Sequence, residues 1–153
     1  MLKNTMTFLV LFLVLTASAP LSAQERVHSD IPPAVAQALD REPPLSQADI
    51  DACIKIMPEL TRLLSDPMSA EQVAAGLNLS QIRFSYIMAK VPLAMALASG
   101  ADPKILGLDS LPQALRPSQK ELRLVKDNLD ALSAAADEAG RVLTEAAPGL
   151  TAQ

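Results

Sequence analysis

The chain has 153 residues, half of them hydrophobic, and its 13 Lys and Arg against 17 Asp and Glu give a formal net charge of −4. A chain of this length has room for one domain with a hydrophobic core. The acidic balance argues against a nucleic-acid backbone or an anionic lipid surface as the partner.

The first 23 residues have the order of a secretory signal peptide. Lys3 gives a positively charged start, residues 8–15 form an unbroken apolar run, and small residues lead up to Ala23. The run is about half as long as the roughly 20 apolar residues that a membrane-spanning helix needs, so we expect no stable membrane anchor. The sequence therefore predicts an exported protein, periplasmic or extracellular, whose mature form begins at Gln24.

The 130 residues after the predicted cleavage site favour helices. They include 22 Ala and 19 Leu but only two aromatic residues. Ala and Leu lose little on entering a helix, whereas strands draw on β-branched and aromatic residues. We predict an all-α fold, a compact bundle of about four to six helices. Residues 24–45 would form a Pro-rich N-terminal arm, residues 46–147 the helical domain and residues 148–153 a flexible tail.

The arm contains a pattern for one short helix between two pairs of prolines. Pro33 is suited to the first helical position, and Ser29 or Asp30 would cap the helix. Three apolar residues are spaced to lie on one side of it: Ile31, Val35 and Leu39. We expect a loosely attached arm that packing could order.

Serine residues mark the starts of four further helices, because a serine hydroxyl can accept a hydrogen bond from the first turn. The four are Ser46, Ser69, Ser80 and Ser118. Gln72 and Glu121 stand three residues after two of them and would complete capping boxes. Helix ends are predicted at Pro67, Gly76 and Gly100.

Two of these segments resemble each other at an offset of 34 residues. Over the 22 positions from 45 to 66 there are six identities, and both common origin and chance remain open. Tetratricopeptide repeats share this period, but their Trp, Gly and Tyr positions are absent. Each segment has a proline twelve residues after its capping serine, at Pro58 and Pro92. Met57 and Val91 cannot cap a new helix, so we predict two continuous helices, each kinked by more than about 20°.

Two kinked apolar helices would enclose a concave flank that could hold an apolar small molecule or a protein segment. The residues that would line it are Cys53, Met57, Ile87, Met88, Val91 and Met95. Residues 84–99 contain a single charge, Lys90, and are predicted to form the central, buried helix. The alternative is that the methionines only fill the core.

The final helix is predicted to be long, from about residue 119 to residue 146. Its apolar residues alternate by three and four: Leu122, Val125, Leu129, Leu132, Ala136, Ala139, Leu143 and Ala146. This set is called the seam below. Because the seam shrinks to alanine in its second half, packing within the chain is favoured over dimerisation, and we expect a monomer.

The sequence offers little support for catalysis, a cofactor or a metal site. His28 and Cys53 are the only residues of their types, and the methionines do not cluster. The acidic pairs fall on helix faces predicted to meet water, where a carboxyl group keeps an ordinary pKa. No phosphate-binding glycine loop or nucleophile elbow is present, so we expect a non-enzymatic protein.

One polar group occurs in a buried context. Arg83 and Lys90 are seven residues apart, hence on one side of the central helix, with Tyr86 between them. A buried cation needs a partner. Ion pairs with acids of the long helix are the structural interpretation, and a site for a carboxylate-bearing ligand is the functional one.

Three functional hypotheses follow. The first is a non-enzymatic exported binding protein for an apolar small molecule or a protein segment, with Arg83, Tyr86 and Lys90 and the residues Met57, Met88 and Met95 as candidate contacts. The second is a partner-regulating or structural protein that uses the seam or the arm. The third is an enzyme without a recognisable motif.

Overall fold

The computed structural model describes residues 31–59, 63 and 68–146. The predicted signal peptide, mature start and C-terminal tail lie outside these residues, as do His28, the predicted capping residues Ser29 and Asp30, and the predicted helix end at Pro67. Within the described part, no helix is both long and apolar enough to cross a membrane.

The fold is all-α, as predicted, and the described residues contain six α-helices and no strand. In chain order the helices are α1 Pro33–Asp40, α2 Gln47–Ile56, α3 Met68–Gly76, α4 Gln81–Ala98, α5 Gln119–Asp127 and α6 Leu129–Ala146. Three 3₁₀ turns connect them, at Met57–Glu59, Leu108–Ser110 and Gln113–Leu115.

The centre of the bundle is α4, which confirms the predicted central helix; the predicted burial of residues 84–99 holds for residues 84–91 and for Ala94. Every residue from 84 to 91 is buried. Helices α1, α2, α3 and α5 all contact α4. A helix surrounded in this way needs apolar residues on all sides, which explains why its sequence has no polar face.

The described part of the predicted arm belongs to the same core as the rest of the chain. Helix α1 begins at Pro33, as predicted, and Pro32 stands at its N-cap without a side-chain hydrogen bond. Val35 and Leu39 of α1 are buried in the core. The apolar side of α1 therefore fastens the segment to the bundle.

Most of the predicted helix boundaries are confirmed. Ser80 and Ser118 accept hydrogen bonds as N-caps, and Ser46 and Ser118 each form a capping box. Helix α3 ends at Gly76, and Gly100 follows α4 with a positive φ of 93°. One start is wrong: α3 begins at Met68, so Ser69 lies inside the helix.

The two repeated prolines have different effects. Helix α4 continues through Pro92, so no break occurs there, and the size of the bend stays a prediction. At Pro58 the prediction of a continuous α-helix is wrong, because α2 ends at Ile56 and passes into the 3₁₀ turn Met57–Glu59. Pro58 has no N–H to continue the α-helical hydrogen bonds. Around Pro92, the fully buried Val91 and Ala94 hold the helix in place by tertiary packing.

The predicted long C-terminal helix covers the expected residues but is divided at Asn128. The Asn128 N–H donates to Val125 O, and its side-chain amide donates to Leu124 O. The same amide exchanges two hydrogen bonds with the Gln47 side chain, at 3.0 and 3.1 Å. Asparagine competes with the helix in this way by offering the backbone other partners, so a single helix is replaced by α5 and α6.

The division changes which seam residues are buried. Val125, Leu132 and Ala139 are buried as predicted, whereas Leu129 is half-buried and Ala136 is exposed, with Ala135 buried instead. Beyond Asn128 the predicted register therefore holds at Leu132 and Ala139, and the buried position between them is Ala135 rather than Ala136. Helix α6 packs on α2 and on the turn Met57–Glu59, so its buried seam residues, Leu132 and Ala139, are covered within the chain itself.

Candidate functional site

The three residues singled out on α4 lie together, as their spacing predicts: Arg83 and Lys90 both contact the ring of Tyr86. The guanidinium carbon of Arg83 lies 4.9 Å from the centre of the Tyr86 ring, and Lys90 Nζ lies 4.8 Å from it. These distances are within the range of cation–π contacts. Tyr86 is itself buried, so the two cations are held against a ring that is largely shielded from water.

Arg83 is fully occupied by protein groups. Its Nε and Nη2 donate to the two carboxylate oxygens of Asp49, at 2.9 and 2.5 Å. Nη1 donates to Pro43 O at 2.6 Å and to Glu42 Oε2 at 3.4 Å, and Nη2 also donates to Pro44 O at 3.2 Å. A guanidinium has five N–H bonds, and all five have partners here. Arg83 therefore has no donor left for a ligand.

The partners of Arg83 differ from the expected ones. Asp49 belongs to α2 and Glu42 to the segment before it, whereas the sequence predicted acids of the C-terminal helix. Burial would raise the pKa of Asp49, but the hydrogen bonds from Arg83 and Ser46 outweigh burial and hold that pKa below its usual value. Asp49 therefore stays ionised and paired at neutral pH.

Lys90 forms the predicted kind of ion pair, with Glu121 of α5. Lys90 Nζ is 2.8 Å from Glu121 Oε1, and only 5% and 3% of the two side chains are exposed. Lys90 also donates to Tyr86 Oη at 2.7 Å. The Glu121 carboxylate further accepts the N–H groups of Leu45 at 2.9 Å and Ser118 at 2.8 Å.

These contacts set the ionisation of Glu121. Burial alone would raise its pKa, but the hydrogen bonds from Lys90 and from the backbone N–H groups of Leu45 and Ser118 lower it to about 2. Glu121 is therefore a carboxylate at every physiological pH. Burial also raises the pKa of Tyr86, more than the contact with Lys90 lowers it, so the Tyr86 hydroxyl keeps its proton.

Both ion pairs hold residues 42–46, which we call the strap. Arg83 binds the carbonyl groups of Pro43 and Pro44, and Glu121 accepts the N–H of Leu45. The N–H of Ser46 donates to Asp49 at 2.7 Å. Because the strap has no regular secondary structure, these bonds take the place of helical hydrogen bonds for its backbone.

A cleft of about 680 Å³ opens above Tyr86, Lys90 and Glu121. Its remaining lining residues come from the end of α1, the strap and residues 113–118: Asp40, Glu42, Pro44, Gln113, Ala114, Arg116 and Ser118. Volumes of this size are typical of small-molecule sites. The buried polar cluster is thus the floor of an open cleft rather than part of a closed core.

Three residues of the cleft lining have hydrogen-bond donors without a close acceptor in the described part of the chain: Tyr86, Lys90 and Arg116. Among the described residues, the one acceptor near the Tyr86 hydroxyl proton is Glu121 Oε1 at 3.5 Å, which is too far for a good O–H···O bond. An ammonium has three N–H bonds, and Lys90 has two partners, Tyr86 and Glu121. Arg116 donates from Nε to Leu111 O and from Nη2 to Asp109 O, and these bonds fix the guanidinium. Its Nη1 has no acceptor among the described residues.

The predicted apolar flank is packed into the core. Met57 and Met88 are 4% and 2% exposed, and Met95 is half-buried against the core. Cys53, Ile87 and Val91 are fully buried. These residues meet protein side chains, so they do not form an open concave surface, and they lie apart from the lining of the cleft. Burial raises the pKa of the Cys53 thiol to about 12.

Sequence reasoning identified Tyr86 and Lys90 but missed the acidic and basic residues of the cleft walls. Glu121 was recognised only as a helix-capping residue, although the capping box was the signal that placed it. No sequence pattern marks the other charged residues of the lining, Asp40, Glu42 and Arg116. They reach the cleft through the packing of α1 beside residues 113–115, which the sequence does not show. In the described ranges no three His, Cys, Asp or Glu side chains come together as a metal site.

Comparisons with protein-family models, with curated proteins and with solved structures find no match to this chain.

Proposed function

We propose that the protein is a non-enzymatic, exported helical binding protein whose ligand occupies the cleft above Tyr86, Lys90 and Glu121. The ligand is a small molecule or a protein segment that carries polar or ionic groups. The observation that carries the proposal is a buried charged cluster at the floor of an open cleft. Burying an ion pair costs solvation free energy, so a pair that also faces a cleft is well suited to selecting a ligand.

The chemistry of the cleft favours a polar ligand over an apolar one. The sequence suggested an apolar molecule on the methionine flank, but Met57 and Met88 contact the core. The cleft, in contrast, is lined by two cations and three carboxylates. The proposal therefore keeps the binding role and moves the site from the flank to the cleft.

Binding is favoured over catalysis by the state of the cluster. Tyr86 has a raised pKa and a protonated hydroxyl, so it is a poor base at neutral pH. Lys90 is paired with Glu121, and a paired ammonium is not a nucleophile. Use of the seam by a partner protein is less favoured, because Val125 and Leu132 are already buried within the chain.

The test compares the wild-type protein with two tryptophan variants. Gln113→Trp fills the cleft from its exposed wall, and Gln72→Trp makes the same change at an exposed position of α3 outside it. Native mass spectrometry of protein isolated from its own source is expected to show a retained ligand in the wild type and in Gln72→Trp but not in Gln113→Trp. A ligand held equally by all three proteins would place the site elsewhere.

A further inference from the structure

Resting on the proposed function, we propose that the ligand of the cleft is a zwitterion: it places a carboxylate on Tyr86, Lys90 and Arg116 and a separate cationic group near Asp40 and Glu42. Two kinds of ligand carry both groups: a free amino-carboxylate, and the C-terminal end of a peptide with a basic side chain.

The case for the carboxylate is the set of unused donors. The Tyr86 hydroxyl, the third N–H of Lys90 and Nη1 of Arg116 all belong to residues that line the cleft. Tyr86 and Lys90 are buried, and a buried donor without a good acceptor costs free energy. A carboxylate has two oxygens with about four acceptor positions, so it can accept from several donors at once.

The case for the cation is the balance of charge. Lys90 and Arg116 contribute two positive charges to the lining, and Asp40, Glu42 and Glu121 contribute three negative ones, which leaves the lining at −1. Glu121 already neutralises Lys90. A simple anion would therefore meet one cation, Arg116, against two carboxylates, and electrostatic repulsion would oppose it.

Asp40 and Glu42 also line the cleft and can balance this charge. Asp40 is exposed and has no ion-pair or hydrogen-bond partner in the described part of the chain, whereas Glu42 is also paired with Arg83, at 3.4 Å. A cationic group on the ligand would face them. A cleft of about 680 Å³ has room for several carbon atoms between the two charged ends.

The probes are three small molecules with the same six-carbon chain. Hexanoate carries only the carboxylate, hexylammonium carries only the cation, and 6-aminohexanoate carries both. Titration of the isotope-labelled wild-type protein, followed by NMR, is expected to give an affinity for 6-aminohexanoate about tenfold higher than for either of the others.

Two substitutions assign the ends of the ligand. Arg116→Gln is expected to weaken the binding of 6-aminohexanoate and hexanoate about tenfold and not to weaken that of hexylammonium. Asp40→Asn is expected to weaken the binding of 6-aminohexanoate and hexylammonium and not to weaken that of hexanoate. Arg123→Gln and Asp130→Asn, at exposed positions outside the cleft, are the matched controls and should change nothing. Because the Asp40 side chain is exposed and has no partner among the described residues, Asp40→Asn remains interpretable if Arg116→Gln does not fold.

The source is tested with an acetylated tetrapeptide, Ala-Ala-Ala-Lys, with a free or an amidated C-terminus. Tighter binding of the free-acid peptide than of 6-aminohexanoate assigns a protein C-terminus, and the reverse assigns a free amino-carboxylate. Equal affinity for 6-aminohexanoate and hexylammonium, or no binding of any probe, overturns the zwitterion. Cleft binding itself is judged separately, by the comparison of Gln113→Trp with Gln72→Trp.

Discussion

Acid is expected to destabilise the protein through Glu121. The carboxylate accepts from Lys90 and from the N–H groups of Leu45 and Ser118, and these contacts hold its pKa at about 2 in the folded protein, against an ordinary value of 4.5. Protonation removes the negative charge that all three contacts require. The strap and the start of α5 would then lose their common acceptor.

The size of the effect follows from the two pKa values. A pKa that falls from 4.5 to about 2 on folding stabilises the folded state by about 3 kcal/mol, at about 1.4 kcal/mol for each pKa unit. Because the folded pKa is the lower one, this stabilisation is fully present above pH 4.5 and is lost as the pH falls towards about 2. Asp49, whose pKa is also lowered, adds a loss in the same direction.

The assay is urea unfolding followed by circular dichroism at intervals from pH 7 to pH 2. The wild type is expected to lose stability most steeply below about pH 4.5, and Glu121→Gln is expected to be less stable at pH 7 but to depend less on pH. Glu138→Gln, which removes an exposed carboxylate of α6, is the control. Direct titration of the Glu121 carboxyl carbon by NMR needs no variant, and a pKa near 4.5 in the folded protein would refute the reasoning.

Three further outcomes are expected. Leu132→Ala should lower the free energy of unfolding by about 2–5 kcal/mol, because Leu132 is fully buried, and should cost more than Leu129→Ala. Urea unfolding measures both, and a midpoint that rises with protein concentration would mean that a second chain shares the seam. Cys53, with a pKa raised to about 12, should resist thiol reagents at pH 8 until urea unfolds the protein. The intact mass of the exported protein should correspond to a start at Gln24; retention of residues 1–23 would contradict the predicted location.

The central helix could be predicted because its burial is encoded in its own residues. Residues 84–99 contain one charge, and no amphipathic surface helix could hold so little polarity. The grouping of Arg83, Tyr86 and Lys90 followed in the same way, since spacing alone places them on one side of a helix. These features depend on local sequence, and local sequence was sufficient.

Other features depend on contacts between distant residues. The alternation of apolar residues passes through Asn128 without interruption, but the Asn128 side chain bonds to Gln47, which lies 81 residues earlier. Similarly, Pro58 and Pro92 occupy equivalent positions in two similar segments, yet only α4, which four other helices contact, continues through its proline. No pattern within either segment contains this information.

The two cations beside Tyr86 show how the same residue pattern can serve two purposes. Both were predicted to need buried partners, and both have them. Arg83 has five N–H bonds and uses all five on Asp49 and the strap, so its role is complete within the fold. Lys90 has three N–H bonds and two partners, and it faces the cleft. The third N–H of Lys90 has no partner in the described part of the chain, and the charge of Lys90 is already balanced by Glu121. A ligand can therefore accept this hydrogen bond without breaking one that the fold makes. The difference in hydrogen bonding, which sequence spacing cannot show, separates the cation whose donors are all used within the fold from the cation that we propose to contact the ligand.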